Sequence, residues 1–357
     1  RAALNLSVQK FRAPRLLMHP FLWLPSGVVS SLEDLSALGS APAQNDVSFS
    51  VNGKNSGHHH LTVAELADGK IIGDLRLVAT ADDVVVGGLQ SLFGCAEPGN
   101  HYLLHRRRFR MSKYRRGTAL LLGVPNSDNY YHWLLESLPR WKILQEAGYT
   151  DYDYVLLHRK LFRFQDETLD RLNVPWEKRL RCKKYFVHRF ERLVVPAMPF
   201  PLWQVTPWAC EWVRSLFPGG NSGPEKIYLS RRGTRRRRLV NETELETQLA
   251  ALGFACVQPE HLSVADQAKL VGVARYVVAP HGAGLANLVF APRGAKVIEL
   301  LHPENQTPCY KHLALARGLH YTSLIGACAR GLAAHNRRDA EFTIEIADVL
   351  RLLAGGE

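Results

Sequence analysis

The last third of the chain alternates between two patterns of apolar positions. Short apolar runs predict buried strands, and longer runs with apolar residues three and four positions apart predict helices. In chain order these elements are KIYLS, NETELETQLAALG, FACVQ, LSVADQAKLVGVA, RYVVAP, GLANLVFA, KVIELL, CYKHLALARGLHY and YTSLIG. Asn241, with Glu244 three residues later, and Ser263 stand where helix caps are expected. Strands and helices that alternate with short links predict a parallel, doubly wound sheet.

The chain before residue 220 has a less regular pattern. Short strands and hairpins are predicted in SVNGKNSGHHHLTVAEL and KIIGDLRLVATADDVVVGGLQ, and buried strands in TALLLGV and YDYVLLHRK. Helical spacing appears in NYYHWLLESL and RWKILQEAG, which are separated by Pro139. This half therefore predicts an α/β domain with a β-rich N-terminal addition.

The domain organisation follows from where both patterns stop. PGGNSGP, at 218–224, is rich in residues that interrupt helices and strands, which is typical of a linker. We therefore expect an N-terminal α/β domain over 1–217 and a C-terminal Rossmann-like domain over 218–335. ADVLRLLAG, within 336–357, predicts an amphipathic helix that packs back on the N-terminal domain. The 357 residues fit two domains at roughly 150 residues each.

Composition and charge narrow the classes of function. Hydrophobic residues make up 46% of the chain, which allows a sizeable core. The sequence contains no run of about 18 apolar residues, so no membrane span is predicted. A formal net charge of +12 favours anionic partners, such as phosphorylated small molecules, nucleic acid or an anionic membrane face. The six cysteines form no C-x-x-C pair, which predicts reduced thiols in a cytoplasmic protein rather than a disulfide framework or a zinc knuckle.

Polar residues suited to ligand binding follow three of the predicted strands in the last third. Ser230 and Arg231 follow one strand, residues 281–284 (His-Gly-Ala-Gly) follow a second, and Glu299 ends a third. Open parallel sheets bind ligands beyond the carboxyl ends of their strands. We therefore expect these three segments to meet at one edge of the sheet.

These residue types suit a nucleotide diphosphate. Gly282 and Gly284 allow a close backbone approach, and the following helix start offers N–H groups to an anion. Arg231 and one arginine of 235–238 can contact phosphate oxygens, and Glu299 can accept from ribose hydroxyls. The simpler alternatives are a tight turn, a solvated arginine loop and a surface carboxylate. The convergence of all three segments on one edge favours the nucleotide site.

A second candidate site lies in the first half of the chain. His132 and Glu136 stand four residues apart and share one face of a predicted helix. A histidine beside a carboxylate suits general-base work, in which one group orients the other. Asn129 lies one turn earlier. The alternative is an ordinary amphipathic helix with a capped end and one helical ion pair.

Three blocks, in this order, resemble glycosyltransferase family 61, in particular its bacterial capsule and exopolysaccharide members. They are SDNYYHWLLESLPRW, YLSRRGTRRRRLVNETEL and VVAPHGAGLANLVFAPRGAKVIELLHP. The resemblance implies a GT-B architecture, in which two Rossmann-like domains face each other across a cleft. It also implies inverting transfer of a sugar from a nucleotide-sugar donor, without a metal or another cofactor.

The resemblance also implies roles for individual residues. His132 and Glu136 match the catalytic histidine and acidic residue, with Asn129 in support, and Glu136 is expected to take the proton of the acceptor hydroxyl. The arginine run leaves open which of two arginines contacts phosphate, and no metal ligand is expected. The expected donor-binding residues are Ser230, Arg231, Arg237, Arg238, His281, Gly282, Ala283, Gly284, Asn287 and Glu299.

The substrates that the resemblance implies are a UDP-sugar donor and a glycan or lipid-linked glycan acceptor. The product would belong to a surface polysaccharide, such as capsule, exopolysaccharide or lipopolysaccharide. A cytoplasmic protein with this basic surface would suit peripheral contact with the anionic inner face of the plasma membrane. No nucleic-acid partner is expected.

Other classes of function account for less of the sequence. Asp151-Tyr152-Asp153 is a D-x-D, as a metal-dependent GT-A glycosyltransferase needs, but it precedes a strand instead of following one. HGAG would suit the oxyanion loop of an esterase, but no G-x-S-x-G follows. A non-catalytic protein that binds nucleic acid or an anionic glycan is the alternative from a different class. It rests on residues 105–117, which interleave basic residues with Phe109 and Tyr114.

Overall fold

The computed structural model describes residues 27–29, 47–51, 62–86, 103, 109–200, 203–234, 236–329 and 340–355. They fall into two units, Arg1–Pro199 and Phe200–Glu357. Each unit has its own sheet, and both sheets contain parallel strands packed against helices. This arrangement confirms the predicted α/β class.

Ten described strands form the sheet of the first unit. They are β1 (Gly27–Val29), β2 (Val47–Val51), β3 (Thr62–Ala67), β4 (Lys70–Ile72), β5 (Leu77–Ala79), β6 (Val84–Val86), β7 (Arg110–Leu121), β8 (Tyr154–His158), β9 (Arg179–Cys182) and β10 (Phe186–Pro196). The main path runs β1-β6-β5-β4-β10-β7-β8-β9, and β3 joins β2 to β10.

The first sheet joins a β-rich half to a parallel half. β2 to β6 pair with their described neighbours in antiparallel fashion, apart from the parallel pair β1–β6. In contrast, β10–β7, β7–β8 and β8–β9 are parallel. This division matches the predicted β-rich addition. Buried residues of both halves, including Leu66, Leu121, Leu156, Phe190 and Val195, share one core.

The helices of the first unit follow the carboxyl ends of β7 and β8. A π-helical turn, His132–Ser137, leads directly into α1 (Leu138–Glu146), and α2 (Arg163–Arg171) follows β8. A short 3-10 helix covers Trp176–Lys178. Pro139 does not separate two helices as predicted, because the π-helical turn before it continues directly into α1.

The sheet of the second unit is parallel throughout. Its strands are β11 (Lys226–Leu229), β12 (Ala255–Val257), β13 (Tyr276–Pro280), β14 (Lys296–Leu301) and β15 (His320–Ile325), in the order β12-β11-β13-β14-β15. The strand order reverses between β11 and β13. In open α/β sheets, the crevice at the carboxyl ends of such a pair is where ligands bind.

Helices cover this second sheet. They are α3 (Pro207–Leu216), α4 (Glu242–Ala251), α5 (Val264–Val271), α6 (Cys309–Arg317), α7 (Ile346–Leu353) and the 3-10 helices Pro259–His261 and Ala283–Val289. A small ribbon pairs β16 (Ala327–Cys328) with β17 (Phe342–Thr343). Ser263 caps α5 as predicted, because its Oγ accepts from the Asp266 N–H at 3.0 Å. Asn241 does not cap α4, since its amide bonds the Ile344 backbone.

The units divide earlier than the predicted boundary at 217–218. Helix α3 belongs to the second unit, where Glu211 forms an ion pair with Arg317 of α6 at 2.5 Å. The buried Arg317 guanidinium also donates to the Ala291 carbonyl at 3.0 Å. These contacts tie the segment before PGGNSGP to the second sheet.

Helix α7 also packs differently from the prediction. It was expected on the N-terminal domain, but its Val349 is fully buried in the core of the second unit, with Tyr228, Leu249 and Phe342. The Asn241 side chain holds the approach to α7 through the Ile344 backbone. The apolar face of α7 therefore completes the second unit.

Among the described residues, no helix combines the length and apolar character that crossing a membrane requires. The described cysteines, Cys182, Cys210, Cys256, Cys309 and Cys328, are all free thiols. Cys95 and residues 105–108 of the predicted basic segment lie outside the described residues.

Candidate active site

A histidine–glutamate pair lies at the beginning of the helix that follows β7. His132 Nδ1 lies 2.9 Å from Glu136 Oε2. The two side chains differ in exposure, since 12% of the His132 side chain but only 1% of the Glu136 side chain is accessible. A carboxylate that accepts from Nδ1–H fixes the ring tautomer. His132 is thus the more exposed member of the pair, although the sequence predicts Glu136 as the group that takes the proton.

The π-helical turn sets the position of this pair. The Leu138 N–H donates to the Trp133 carbonyl, a step of five residues instead of the four of an α-helix. Trp133 is fully buried, and its indole N–H donates to Thr168 Oγ1 at 2.7 Å. Turns of this kind are frequent at functional sites. The turn and its tryptophan anchor hold His132 and Glu136 in place.

Arg140 continues the row of His132 and Glu136 by one further turn. Its side chain is fully buried and donates to the carbonyl oxygens of Gly123, at 3.1 Å, and Pro196, at 2.6 Å. Burial lowers the pKa of Arg140 to about 9, and the charge of Glu136 opposes this effect. The guanidinium is therefore charged at neutral pH, and a buried positive charge acts on the Glu136 carboxylate.

Asn129 organises the entry to the π-helical turn. Its side-chain Oδ1 accepts from the Tyr131 N–H at 2.9 Å, and its carbonyl accepts from the Trp133 N–H at 3.0 Å. The Asn129 side chain thus satisfies the Tyr131 N–H, which has no helical partner at the helix start, and the Asn129 carbonyl accepts the first helical bond.

At the carboxyl end of β11, a buried glutamate collects three donors. Glu242 Oε1 accepts from the Tyr228 hydroxyl at 2.9 Å, the Ser230 hydroxyl at 3.2 Å and the Arg231 N–H at 2.7 Å. Glu242 and Ser230 are each 2% exposed. The predicted donor-binding Ser230 therefore bonds within the protein, and Glu242 fixes the backbone from which the Arg231 side chain extends.

The Arg231 guanidinium reaches the loop that follows β13. Its Nη1 donates to the His281 carbonyl, and its Nη2 donates to the Arg236 carbonyl at 3.3 Å. A Cβ on Gly282 would lie only 2.5 Å from Arg231 Nη1, so glycine is what permits this contact. The structure thus brings together the ends of β11 and β13, as the sequence predicted.

The arginine run divides into residues with different partners. The charge of Arg237 adds to the effect of burial, which lowers the pKa of Arg231. The buried Nε of Arg237 has no hydrogen-bond partner among the described residues, and the residue adopts a left-handed φ of 52°. Arg238 instead forms an ion pair with Glu341 at 2.6 Å. Arg231 therefore lies against Gly282 with the charge of Arg237 acting on it, whereas Arg238 is paired with Glu341.

A second histidine–glutamate pair joins the ends of β13 and β14. His281 Nδ1 lies 2.5 Å from Glu299 Oε1, and Glu299 Oε2 accepts from the Tyr321 hydroxyl at 2.5 Å. The Glu299 side chain has no exposed surface. The expected contact of Glu299 with ribose is therefore replaced by an internal role, since both carboxylate oxygens are bonded within the protein. Glu299 orients His281, whose Nε2 is the ring nitrogen left for a ligand.

The loop after His281 is more tightly built than expected. Ala283–Val289 is a 3-10 helix in place of the predicted α-helix, and a Cβ on Gly284 would lie 3.3 Å from the Pro259 side chain. Asn287 is fully buried and donates to Gln267 at 2.6 Å and to the Gly284 carbonyl at 2.9 Å. Asn287 therefore locks this loop, which differs from the donor contact predicted for it.

No metal site is formed within the parts of the chain that the structure describes, in the sense of three or more grouped His, Cys, Asp or Glu side chains. The carboxylate of Asp153, from the D-x-D, accepts from the Thr118 N–H at 2.7 Å. A Cβ on the neighbouring Gly117, whose φ is 87°, would collide with that carboxylate. Asp153 therefore closes a tight backbone contact at β7.

Sequence reasoning missed three residues of these sites. Arg140 stands four residues after Glu136, so helical spacing alone pointed to it. Glu242 follows the Asn241 that drew attention as a helix cap. Tyr321 carries no local signal, because its contact with Glu299 depends on the register of β14 against β15.

Comparisons with known proteins agree with this geometry. Residues 130–298 match the family Glycosyltransferase 61. This range contains all the predicted site residues except Asn129 and Glu299, each of which lies one position outside it. Over 97 residues the chain is 39% identical to the EGF domain-specific O-linked N-acetylglucosamine transferase of Drosophila melanogaster. That stretch is 26% of this chain and 18% of the fly protein. Residues 130–298, which span parts of both units, therefore match glycosyltransferase family 61, a family of sugar-transferring enzymes.

Proposed function

We propose that this protein transfers a sugar from a nucleotide-sugar donor to a hydroxyl group of a glycan acceptor, with inversion at the anomeric carbon. The observation that carries the proposal is the Arg231 guanidinium held against the loop of His281 and Gly282, at the point where the order of the second sheet reverses, with the charge of Arg237 acting on Arg231. Two arginine side chains at such a crevice suit a diphosphate group. The family match supports sugar transfer in particular.

On the donor side, the departing nucleoside diphosphate gains negative charge as its bond to the sugar breaks. Arg231 and Arg237 balance that charge without a metal ion in the proposed mechanism, because a fixed pair of guanidinium groups needs little rearrangement during reaction. The following 3-10 helix is only seven residues long, so the arginines carry most of this role. His281, held by Glu299, donates to or accepts from the donor through Nε2.

On the acceptor side, His132 takes the proton of the attacking hydroxyl through Nε2. Glu136 holds the ring through Nδ1–H and stabilises the imidazolium that forms. The hydroxyl oxygen bonds to the anomeric carbon on the face opposite the leaving phosphate, which inverts the configuration. For these groups to act on one sugar, the two units must face each other in the GT-B arrangement, which forms part of the proposal.

The donor and acceptor are proposed by class. The donor is a UDP-sugar, and the name of the fly relative makes UDP-N-acetylglucosamine the first sugar to test. The acceptor is a glycan or lipid-linked glycan of a bacterial surface polysaccharide, made in the cytoplasm at the inner face of the membrane. The net charge of +12 supports anionic substrates of this kind.

Binding of UDP tests the donor site directly. Calorimetric titration of the full chain with UDP, with and without EDTA, should give the same affinity, and Arg231→Ala should weaken it at least tenfold, which is about 1.4 kcal/mol. Arg238→Ala is the matched control and should bind as the wild type does, because Arg238 pairs with Glu341. Equal loss in both variants, or binding that EDTA abolishes, would contradict the arginine site.

The order of proton transfer in the dyad is tested by two neutral replacements. His132→Gln should reduce the rate of transfer to the background, whereas Glu136→Gln should retain a fraction of it, since an amide oxygen still accepts from Nδ1–H. Both variants should bind UDP as the wild type does. If His132→Gln keeps most of the activity and Glu136→Gln loses all of it, Glu136 is the base instead.

A further inference from the structure

A row of aromatic rings begins in the helical turn that carries the His132–Glu136 pair. The Tyr130 ring meets the Phe164 ring edge to face, with centroids 5.3 Å apart, and Phe164 stacks on Phe162 with centroids 5.9 Å apart and planes 9° from parallel. Tyr130 stands two residues before His132. Phe162, at the far end, is 45% exposed. We call Tyr130, Phe164 and Phe162 the aromatic row.

The aromatic row is held rigidly against the segment that carries the dyad. Within α2, Gln165 donates to the Ser127 carbonyl at 3.0 Å, and Thr168 accepts from the Trp133 indole N–H at 2.7 Å. Gln165 and Thr168 are both fully buried. Helix α2 and the π-helical turn therefore form one packed assembly, and the rings keep a fixed relation to His132.

Phe162 departs from the local rules of helix formation. It occupies the N-cap of α2, where a short polar side chain normally accepts a helix N–H, and a phenyl ring cannot do so. Gln165 compensates only in part, because its Oε1 accepts from the Phe162 N–H at 2.8 Å. A large apolar ring at an exposed cap costs stability. Such local exceptions are expected where a residue serves function.

Three basic residues lie within three positions of Phe162 in the chain. Arg159, Lys160 and Arg163 are all exposed, and the Arg159 Nε donates to the buried Asp74 carboxylate at 3.0 Å. That contact fixes Arg159 and leaves its two terminal nitrogens for another acceptor.

Two acidic side chains of α2 are paired elsewhere, because Asp166 and Asp170 both form ion pairs with Arg179. The charge of Glu167 acts on Tyr130, at the other end of the row. The exposed ring of Phe162 is therefore followed directly by the exposed Arg163 and preceded by Arg159 and Lys160.

We propose that the aromatic row and its basic rim bind the acceptor, and that the acceptor carries an anionic group. The apolar face of a sugar ring packs on Phe162, and its carboxylate or phosphate pairs with Arg159 and Arg163. This assignment rests on the proposed function, because it places the acceptor on the unit that holds the base. It narrows the acceptor class to acidic sugars or sugar phosphates.

Three small probes separate the contributions of ring and charge. They are methyl β-glucuronide, glucose 1-phosphate and methyl β-glucoside, each followed by saturation-transfer NMR with the full chain. At least one anionic probe should bind at least fivefold more tightly than the glucoside, and the stronger of the two identifies the source of the anion. Phe162→Ala should weaken that binding at least fivefold, and Phe162→Tyr should restore it.

Trp176→Ala is the matched control, because Trp176 is an aromatic residue of the same unit and is 66% exposed. Its ring centre lies 5.3 Å from the guanidinium carbon of Arg179, so it too has a basic neighbour. This variant should bind the probes as the wild type does. Equal binding of all three probes, or an unchanged affinity in Phe162→Ala, would overturn the proposal. The proposal would also be overturned if the protein bound phosphatidylglycerol vesicles through Phe162 but bound none of the sugar probes.

UDP titration of the same samples separates this inference from the proposed function. Phe162→Ala should leave UDP affinity unchanged, since Arg231 and Arg237 lie in the other unit. If the protein binds UDP but no anionic probe, the acceptor site is wrong and the donor site stands. If it binds the anionic probe through Phe162 but not UDP, the aromatic row is a sugar site and the transferase proposal fails.

Discussion

At the scale of single residues, the protein uses one device twice. In each case a buried glutamate accepts from Nδ1 of a partly exposed histidine. The exposed fraction of the side chain is 12% for His132 and 1% for Glu136. It is 10% for His281 and 0% for Glu299. In both pairs the glutamate fixes the tautomer of the ring. In the proposed mechanism, each histidine is the contact group and each glutamate the positioning group.

The contact between Arg231 and Gly282 gives a prediction at this scale. In Gly282→Ala, the new Cβ would lie 2.5 Å from Arg231 Nη1, so the flexible guanidinium must move away from the His281 carbonyl. We expect UDP affinity to fall at least tenfold, about 1.4 kcal/mol, with little change in melting temperature. Calorimetry and a thermal melt measure the two effects.

Gly219→Ala provides the matched comparison, because the nearest atom to its new Cβ, Gly272 Cα, is 4.0 Å away. This variant should bind UDP normally. A Gly282→Ala protein with unchanged affinity would mean that the position of Arg231 does not matter for the donor.

The types of the site residues could be predicted from sequence, but their burial could not. Arg231, His281 and Gly282 were placed together because parallel strands end at a common edge. Glu299 is expected at the donor because a carboxylate can accept from ribose hydroxyls, and Asn287 because the family resemblance implies it. Their hydrogen-bond partners within the protein, Tyr321 and Gln267, lie in other elements of the fold, so no local sequence pattern predicts these contacts.

At the scale of elements, side-chain periodicity predicted the strands of the second unit and most of its helices. It failed where the hydrogen-bond step changes, because GLANLVFA has the same apolar spacing as an α-helix but folds as a 3-10 helix. It likewise gave no sign of the π-helical turn at His132–Ser137. The destination of α7 was missed for another reason: an amphipathic pattern shows that a face is buried, without showing against what.

Strand β10 carries a buried histidine whose titration gives a second prediction. Burial, assisted by the charge of Arg115, lowers the pKa of His188 from 6.5 to about 4. Between these values the unfolded chain binds a proton that the folded protein does not, so the free energy of unfolding falls as pH decreases through this window. The expected loss between pH 7 and pH 4.5 is about 2 kcal/mol.

His188 Nε2 accepts from the Lys183 N–H at 2.9 Å. His188→Gln isolates the contribution of titration, because an amide oxygen can accept from the same N–H. Denaturant titrations at several pH values should show a shallower pH dependence for the variant than for the wild type. Parallel curves for the two proteins would show that His188 does not titrate as burial requires.

At the scale of the whole molecule, the chemistry is divided between the units. The arginines and the His281–Glu299 pair belong to Phe200–Glu357, and the His132–Glu136 pair belongs to Arg1–Pro199. A donor nucleotide should therefore stabilise the second unit directly. A ligand at one hundred times its dissociation constant stabilises the protein that binds it by about 2.7 kcal/mol.

Hydrogen–deuterium exchange can locate this stabilisation. Addition of UDP should slow exchange in the second unit, mainly at residues 229–242 and 276–289, which contain the ends of β11 and β13 and the start of α4. Protection centred on the basic strand β7, Arg110–Leu121, would instead support a protein that binds anionic polymers without catalysis.

The π-helical turn has a consequence for how this protein varies among its relatives. Such a turn contains one residue more than an α-helical turn, so loss of a single residue between His132 and Ser137 would convert it to a regular helix without disturbing α1. That deletion would rotate everything before it by about 100° around the helix axis. His132 would then point away from its present direction, and one of the buried residues from Trp133 to Glu136 would be lost. A one-residue gap at this place in an alignment would therefore mark relatives that lack the present arrangement of His132 and Glu136.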